Sequence, residues 1–462
     1  MSITMNHFIE LVERTNGVVN GFVWGWPTII LLIGSGIYLT VTLRGIQFTR
    51  MGTCFAHVFG RNREKGEGNI TPFQAVSVAL ASTVGAGNIA GVATAIHIGG
   101  PGSVFWLWVT GLVGMATKFS EITLALHYRK MDETGVMRGG AMYILRDGLK
   151  IPWLATVFAA FTAMAAFGIG NAVQANKCSI ALFSLWGTPH IASAWIVAII
   201  TAAVILGGIQ SIAKVAQMLV PFMCVFYVGG ALFILVRYAA ELPGVFGLIF
   251  SSAFQPAAAT GGFAGAAVSA VITMGLKRGL FSNEAGLGSA PMAHSTAQVK
   301  YPAQQGLYGI FEVFVDTIVV CTMTALVILV TGAWKEIDPA TGKGLNDLLL
   351  SARAFETGLP GRWGDMVVYI GLATFTFSTI LGWNFYGETG VNYIFGKRAI
   401  LPYRLLWVIV AFIGAWGGLE RLGLIWDISD TLNGLMAIPN LIAVLMSVKL
   451  LKKLTSGYLA AR

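Results

Sequence analysis

The sequence predicts an all-α membrane protein with about 11 transmembrane helices, and three observations carry that prediction. Of 462 residues, 56% are hydrophobic and only 11% are charged, with a mean hydropathy of +0.73; these are too few charges to coat a soluble domain. Apolar stretches of roughly 20 residues recur along the chain, each able to cross about 30 Å of hydrocarbon. Two of the stretches are interrupted by glycines and polar residues at corresponding places, the pattern expected of an inverted repeat.

Length alone would suggest two to four soluble domains, but composition overrides it. A formal net charge of +9 would point to nucleic acid in a soluble chain. Here the basic residues lie in loops, where they set orientation, so the lipid bilayer is the expected partner and nucleic acid is not. Cys54, Cys178, Cys224 and Cys321 are far apart, and the histidines are scattered, so neither a disulfide framework nor a zinc spacing is visible. The opening MSITMNHFIELVERTNG does not read as a signal peptide.

In chain order the expected spans are Val23–Leu43, Phe73–Ile96, Ser103–Leu126, Trp153–Leu185, Ile191–Leu206, Ala213–Val236, Gly262–Thr296, Gly306–Val330, Met366–Tyr386, Leu405–Leu419 and Leu424–Leu450. With the N-terminus outside, 19 loop lysines and arginines face inward and 7 outward. That positive-inside bias predicts a multi-pass protein of the cytoplasmic (inner) membrane, with the C-terminus cytoplasmic. The outer loop Thr331–Asp365 is expected to carry a short helix. The chain is expected to form a single transmembrane domain over 1–462. Residues 1–70 supply an N-terminal helix and cytoplasmic linker, 71–240 a first inverted repeat and 260–453 a second, a five-plus-five arrangement plus one extra helix.

Each repeat opens with its interrupted span. The second span holds Ser82-Thr83-Val84-Gly85-Ala86-Gly87-Asn88 near its middle. The seventh holds Gly275, Gly279, Gly286, Gly288 and Pro291, with Lys277, Arg278, Asn283 and Glu284 between them. Glycine inside a helix costs about 1 kcal/mol relative to alanine, and charge at membrane depth costs more. Such features point to an intramembrane site.

Unwinding a helix in the bilayer frees amides on one side of the break and carbonyls on the other. Amides at the start of the resumed half-helix favour a carboxylate, which assigns that role to Gly85, Ala86 and Gly87. The carbonyls of Ala81 and Val84 suit a small hard cation. The alternative is tight packing, since Gly87 and Gly91 form a G-x-x-x-G, but Thr83 and Asn88 then put unneeded polarity at the same depth. In the fourth span Asn171 and Gln174 are three apart and share a helix face. A glutamine amide there suits a substrate ammonium, and interhelical hydrogen bonding is the competing reading. In the ninth span Ser378, Thr379 and the Phe375 carbonyl form a neutral oxygen cluster fit for Na+, unless the hydroxyls only bond back to their own helix. Glu121, Asp316 and Glu388 are left open between proton relay and pairing with Lys118, Lys277 or Arg278.

Four runs together resemble the alanine or glycine:cation symporter family: Thr83–Ala93, Gly170–Asn176, Arg278–Pro291 and Trp426–Asn440. The resemblance covers essentially the whole chain and implies a leucine-transporter-like fold of the amino acid–polyamine–organocation superfamily. It implies a sodium symporter of alanine and glycine working by alternating access, with Na+ as co-transported ion, no cofactor and no enzymatic step. It implies substrate contacts at Gln174, Ala86 and Gly87, and at Thr273, Gly275 and Phe281 near the break of the seventh span. Ser378 and Thr379 fall where that fold has its sodium-binding hydroxyl pair. The family often has threonine where this chain has Ala86, leaving only the backbone amide there. A proton-coupled transporter of the same fold is the first alternative, and a channel or a membrane subunit of an enzyme complex the second.

Overall fold

The computed structural model describes residues 2–60, 66–255, 268–339, 341–417 and 422–461. Within them helices dominate, and the one small sheet pairs Lys130–Met131 with Met137–Arg138. Proline at a first helical position, where its missing N–H is no loss, opens the helices Pro72–Thr83, Pro152–Phe167 and Pro302–Val313. Thr71 and Gln74 close a reciprocal capping box on the first of these, fixing where the helix enters from the linker.

Among the described residues, seven helices are long and apolar enough to cross a membrane, or eight when the bent pair Pro72–Thr83 and Gly87–Gly99 counts as one crossing. The expected third span is Ser103–His127, whose buried Lys118, Glu121 and hydroxyls lower its hydropathy. The expected fifth is the 16-residue helix His190–Ile205. Three expectations need correction. The first helix does not begin at Val23: Ser2–Val23 is helical and turns at Trp24-Gly25 into Trp26–Thr42. The ninth runs 33 residues, Trp363–Phe395, because its polar end is buried in protein rather than exposed to headgroups. An unexpected apolar helix, Leu242–Ser252, follows the sixth. The start of the expected seventh span, 262–267, and the end of the tenth, 418–419, lie outside the described residues. The loop after Thr331 does carry a helix, Asp347–Gly358.

Trp363–Phe395 is the central element. It packs on Pro72–Thr83, Pro152–Phe167, Val173–Trp186 and Gly208–Arg237, and buries Phe375, Trp383 and Tyr386. A second group packs Ser103–His127 against Val268–Asn283 and Pro302–Val313. Helices on the outside present large apolar side chains outward, among them Met218, Phe222, Val225, Trp195, Ile199, Leu405 and Ile409. An apolar exterior with a polar interior is how a helical membrane protein satisfies lipid and its own buried groups.

Candidate functional site

The Pro72–Thr83 helix stops where Val84 turns extended (φ −78°, ψ 94°), and the chain resumes in a π-helical turn, Gly87–Gly91, bent 53° from the first half. The break is held from three sides. Asn88 Oδ1 accepts from the Gly85 amide at 2.9 Å, and the Ala86 amide donates to Gln174 Oε1 at 3.4 Å. Behind them Asn88 Nδ2 donates to Asp316 Oδ1 at 2.6 Å and to Ser282 at 3.0 Å. Ser282 and Thr317 in turn donate to Asp316 Oδ2.

The expected cation ligands converge. Ser378 Oγ lies 3.1 Å from the Ala81 carbonyl and 2.8 Å from that of Phe375. Thr379 Oγ1 lies 3.5 Å from the Val84 carbonyl and 2.9 Å from Phe375 O. Hard cations of this size take oxygens at about 2.3–2.6 Å, so ligands at right angles sit about 3.4 Å apart, close to the spacing found. All five residues are buried, and all five oxygens are neutral. Each hydroxyl can donate elsewhere while turning lone pairs to a cation. A Cβ on Gly85 would come 2.8 Å from Thr379 Oγ1, so the close approach of break and long helix requires glycine.

Beside this cluster lies a nearly closed cavity with about 20 Å³ free, room for one or two waters. Thr83, Gly85, Gly87, Gln174, Phe281, Ser282, Glu284, Thr379, Trp383 and Asn433 are among its walls. Gln174 is anchored by its Nε2 donating to the Ile169 carbonyl, leaving Oε1 directed at the break. Phe281 covers Gly87, its ring 3.6 Å from where a Cβ would stand, and stacks on Trp426 at 5.9 Å. Glu284 accepts from the Trp383 indole at 3.1 Å and from Ser289.

Other expected residues stand elsewhere. Asn171 turns away from the cavity and donates to the Trp407 carbonyl at 2.9 Å, the interhelical alternative. It sits in a π-helical turn, Gly168–Ala172, where an extra residue shifts the face that three-residue spacing would predict. Thr273 and Gly275 do not mark the break, because Val268–Asn283 is unbroken. A Cβ on Gly275 would lie 2.2 Å from the Ser103 carbonyl, so that glycine serves close helix packing. The second break follows Asn283, where Glu284, Gly286 and Gly288 take positive φ of 55°, 96° and 77°. Asn88 was legible only as misplaced polarity; Ser282 and Asn433 lie in runs that carry the family resemblance but, like Trp383, have no local pattern that announces a partner distant in sequence.

The acidic groups pair differently from the expected partners. Glu121 accepts from Asn440 and from the Gly286 amide. Lys118 pairs with Glu312, which also meets His294, and Lys277 pairs with Asp430. Glu388 bridges Arg138 and Arg404, each at 2.7 Å.

A broken helix crossing a long continuous one, in an otherwise helical membrane bundle, is the leucine-transporter-like fold. The structure of MhsT in complex with L-phenylalanine superimposes with a TM-score of 0.57 over 80% of this chain and 89% of that one. At 14% identity the likeness speaks to fold alone. The profile of the sodium:alanine symporter family matches residues 9–462, and the chain belongs to that family. It is 46% identical to the sodium/alanine symporter AgcS of Methanococcus maripaludis, over 95% of this chain and 94% of the relative. It is 35% identical to a Bacillus subtilis protein named "probable sodium/glutamine symporter GlnT", over 95% and 89%. Family and relatives are transporters, not enzymes.

Proposed function

We propose that this chain imports small neutral amino acids, alanine and glycine foremost, together with Na+ by alternating access across the cytoplasmic membrane. The observation that carries the reading is the meeting of Ala81, Val84, Phe375, Ser378 and Thr379 through neutral oxygens. Na+ bridges the two helices there and needs no buried counter-charge. The substrate carboxylate replaces Gln174 at the Ala86 amide and reaches Gly87 at the positive end of the resumed helix. Gln174 Oε1, thereby released, accepts from the substrate ammonium. Thr83 and Gly85 form the wall beside the ion. Phe281 over Gly87 limits the side chain, which favours alanine and glycine over the larger amino acid named for the Bacillus relative. The N-terminus faces outside and the C-terminus the cytoplasm, as the loop charges favour.

Alanine uptake into proteoliposomes tests this. Accumulation driven by an inward Na+ gradient, and weakened in Gln174→Ala, is expected. Accumulation that persists without any Na+ gradient would overturn the sodium assignment. One observation favours proton coupling instead: Asp316 is fully buried and bonded to Asn88 at the break. Under that reading a proton gradient alone drives uptake, and Asp316→Asn abolishes it.

A further inference from the structure

The last span, Leu422–Met446, gives way at Ser447 to a further helix, Val448–Ala460. Two of its faces differ sharply. Val448, Leu451, Thr455 and Tyr458 are buried against the bundle, where Tyr458 Oη lies 3.0 Å from His57 Nε2 and its ring 5.8 Å from that of Tyr301. Lys449, Lys452 and Lys453 stand three and four apart, so they share a face, and all three are exposed. Leu450 and Leu454, half-buried, form an apolar edge beside them. His57 belongs to Met51–Phe59, a short helix that follows the first span, so the His57–Tyr458 contact puts both elements on the same side of the membrane. There Phe48 and Phe59 are 59% and 71% exposed, with exposed Arg44 and Arg50 in the same stretch. Residues 44–59 and 448–462 contain no Asp or Glu. Arg44, Arg50 and the three lysines make no ion pair among the described residues.

We propose that Val448–Ala460, together with the stretch around Phe48 and Phe59, is a docking surface for anionic phospholipid. A helix joined to a span by one residue starts at headgroup depth, and a basic amphipathic helix there lies along the interface. Lys449, Lys452 and Lys453 meet the anionic headgroups, each adding to the attraction of a negatively charged leaflet. Leu450, Leu454, Phe48 and Phe59 enter the boundary with the acyl chains. That pairing of cation and hydrocarbon along one edge selects the occupant. A free anion or a nucleic acid would leave the leucines and phenylalanines in water, whereas a phospholipid covers both. Only the membrane fold is needed for this inference, and it goes beyond the proposed transport of amino acids.

A lipid titration of the full-length protein tests it. An environment-sensitive fluorophore is placed on Gly457→Cys, an exposed position with open space around it. The background is Cys224→Ser, the other native cysteines being buried. In detergent, phosphatidylglycerol is expected to saturate the signal at a concentration about tenfold or more below that of phosphatidylcholine, the scale of several lysines at an anionic surface. Replacing Lys449, Lys452 and Lys453 together by glutamine is expected to bring the two lipids within about twofold of each other. The same three positions as arginine should keep the preference, which separates charge from any loss of folding. Equal response to both lipids in the wild type, or a preference undiminished in the triple glutamine variant, overturns the proposal. Saturation by inorganic phosphate as effective as by phosphatidylglycerol, at matched ionic strength, overturns it in favour of a free-anion site. Uptake does not enter this readout, so a failure of the transport reading leaves the lipid result standing.

Discussion

Thr379 touches both halves of the proposed chemistry. Its hydroxyl lies against the Val84 carbonyl on one side and lines the cavity on the other. Ser378, one residue earlier, meets Ala81 instead. Removing either oxygen takes one member from the proposed set of five and leaves the helix intact, since both hydroxyls are replaceable within a helix interior. Ser378→Ala and Thr379→Val are each expected to raise the half-saturating Na+ concentration for uptake by about tenfold, the scale of one lost polar contact in a dry site. An unchanged Na+ dependence in both would remove the cluster from the mechanism. Asn171 is the contrasting case. Asn171→Ala removes a buried interhelical hydrogen bond to the Trp407 carbonyl and is expected to lower stability by about 1 kcal/mol, seen as a reduced Tm, while the KM for alanine is expected to stay as it was. Ser378 and Thr379 were legible because adjacent hydroxyls one turn from a carbonyl form a compact set in any α-helix. Asn171 was not, because spacing cannot foresee a π-helical turn.

At the scale of elements, the first break was legible and the second was displaced. Gly85-Ala86-Gly87 coincides with the extended residue Val84 and the 53° bend. In the second repeat Gly275 and Gly279 also read as interruptions, yet they allow close approach to Ser103 and Thr110. The break falls where Glu284, Gly286 and Gly288 need positive φ. Glycine in a membrane helix can serve close packing as well as unwinding, and sequence does not separate the two. Gly85→Ala drives a methyl group into Thr379, and it is expected to abolish Na+-stimulated uptake while the purified protein stays folded by circular dichroism. Phe281→Ala removes the ring that covers Gly87. Leucine is then expected to compete with alanine for uptake, with no such competition expected in the wild type; failure of larger amino acids to compete would show that Phe281 does not limit size.

Across the whole molecule, hydropathy located the spans better than it located the helix ends that are wrapped in protein. Ser103–His127 lies within one residue of the expected span although it buries Lys118 and Glu121, whereas Trp363–Phe395 extends past its expected end because Glu388 is enclosed by Arg138 and Arg404. Long-range pairings of this kind are invisible to any window along the chain. The same cluster ties the Lys130–Arg138 hairpin to the central helix through Asp132, which accepts from Arg138 at 2.6 Å. Burial works against the Asp132 charge, but hydrogen bonds from Thr134 and Arg138 prevail and hold its carboxyl below the ordinary value. A depressed folded value means stability complete above the unfolded value of about 3.9 and lost as pH falls through the folded one. The Tm of the purified protein is expected to fall as acid passes that window, and Asp132→Asn to flatten the fall; an identical acid profile in the variant would exclude Asp132 as its source.

The account turns on whether a cation is held where the broken helix meets the long one. Equilibrium titration of the purified protein with NaCl, against KCl at matched ionic strength and without amino acid, measures it directly. Saturable Na+ binding that is lost in the Ser378→Ala/Thr379→Val double variant is the predicted result. Equal response to both salts, or undiminished Na+ binding in the double variant, would contradict it.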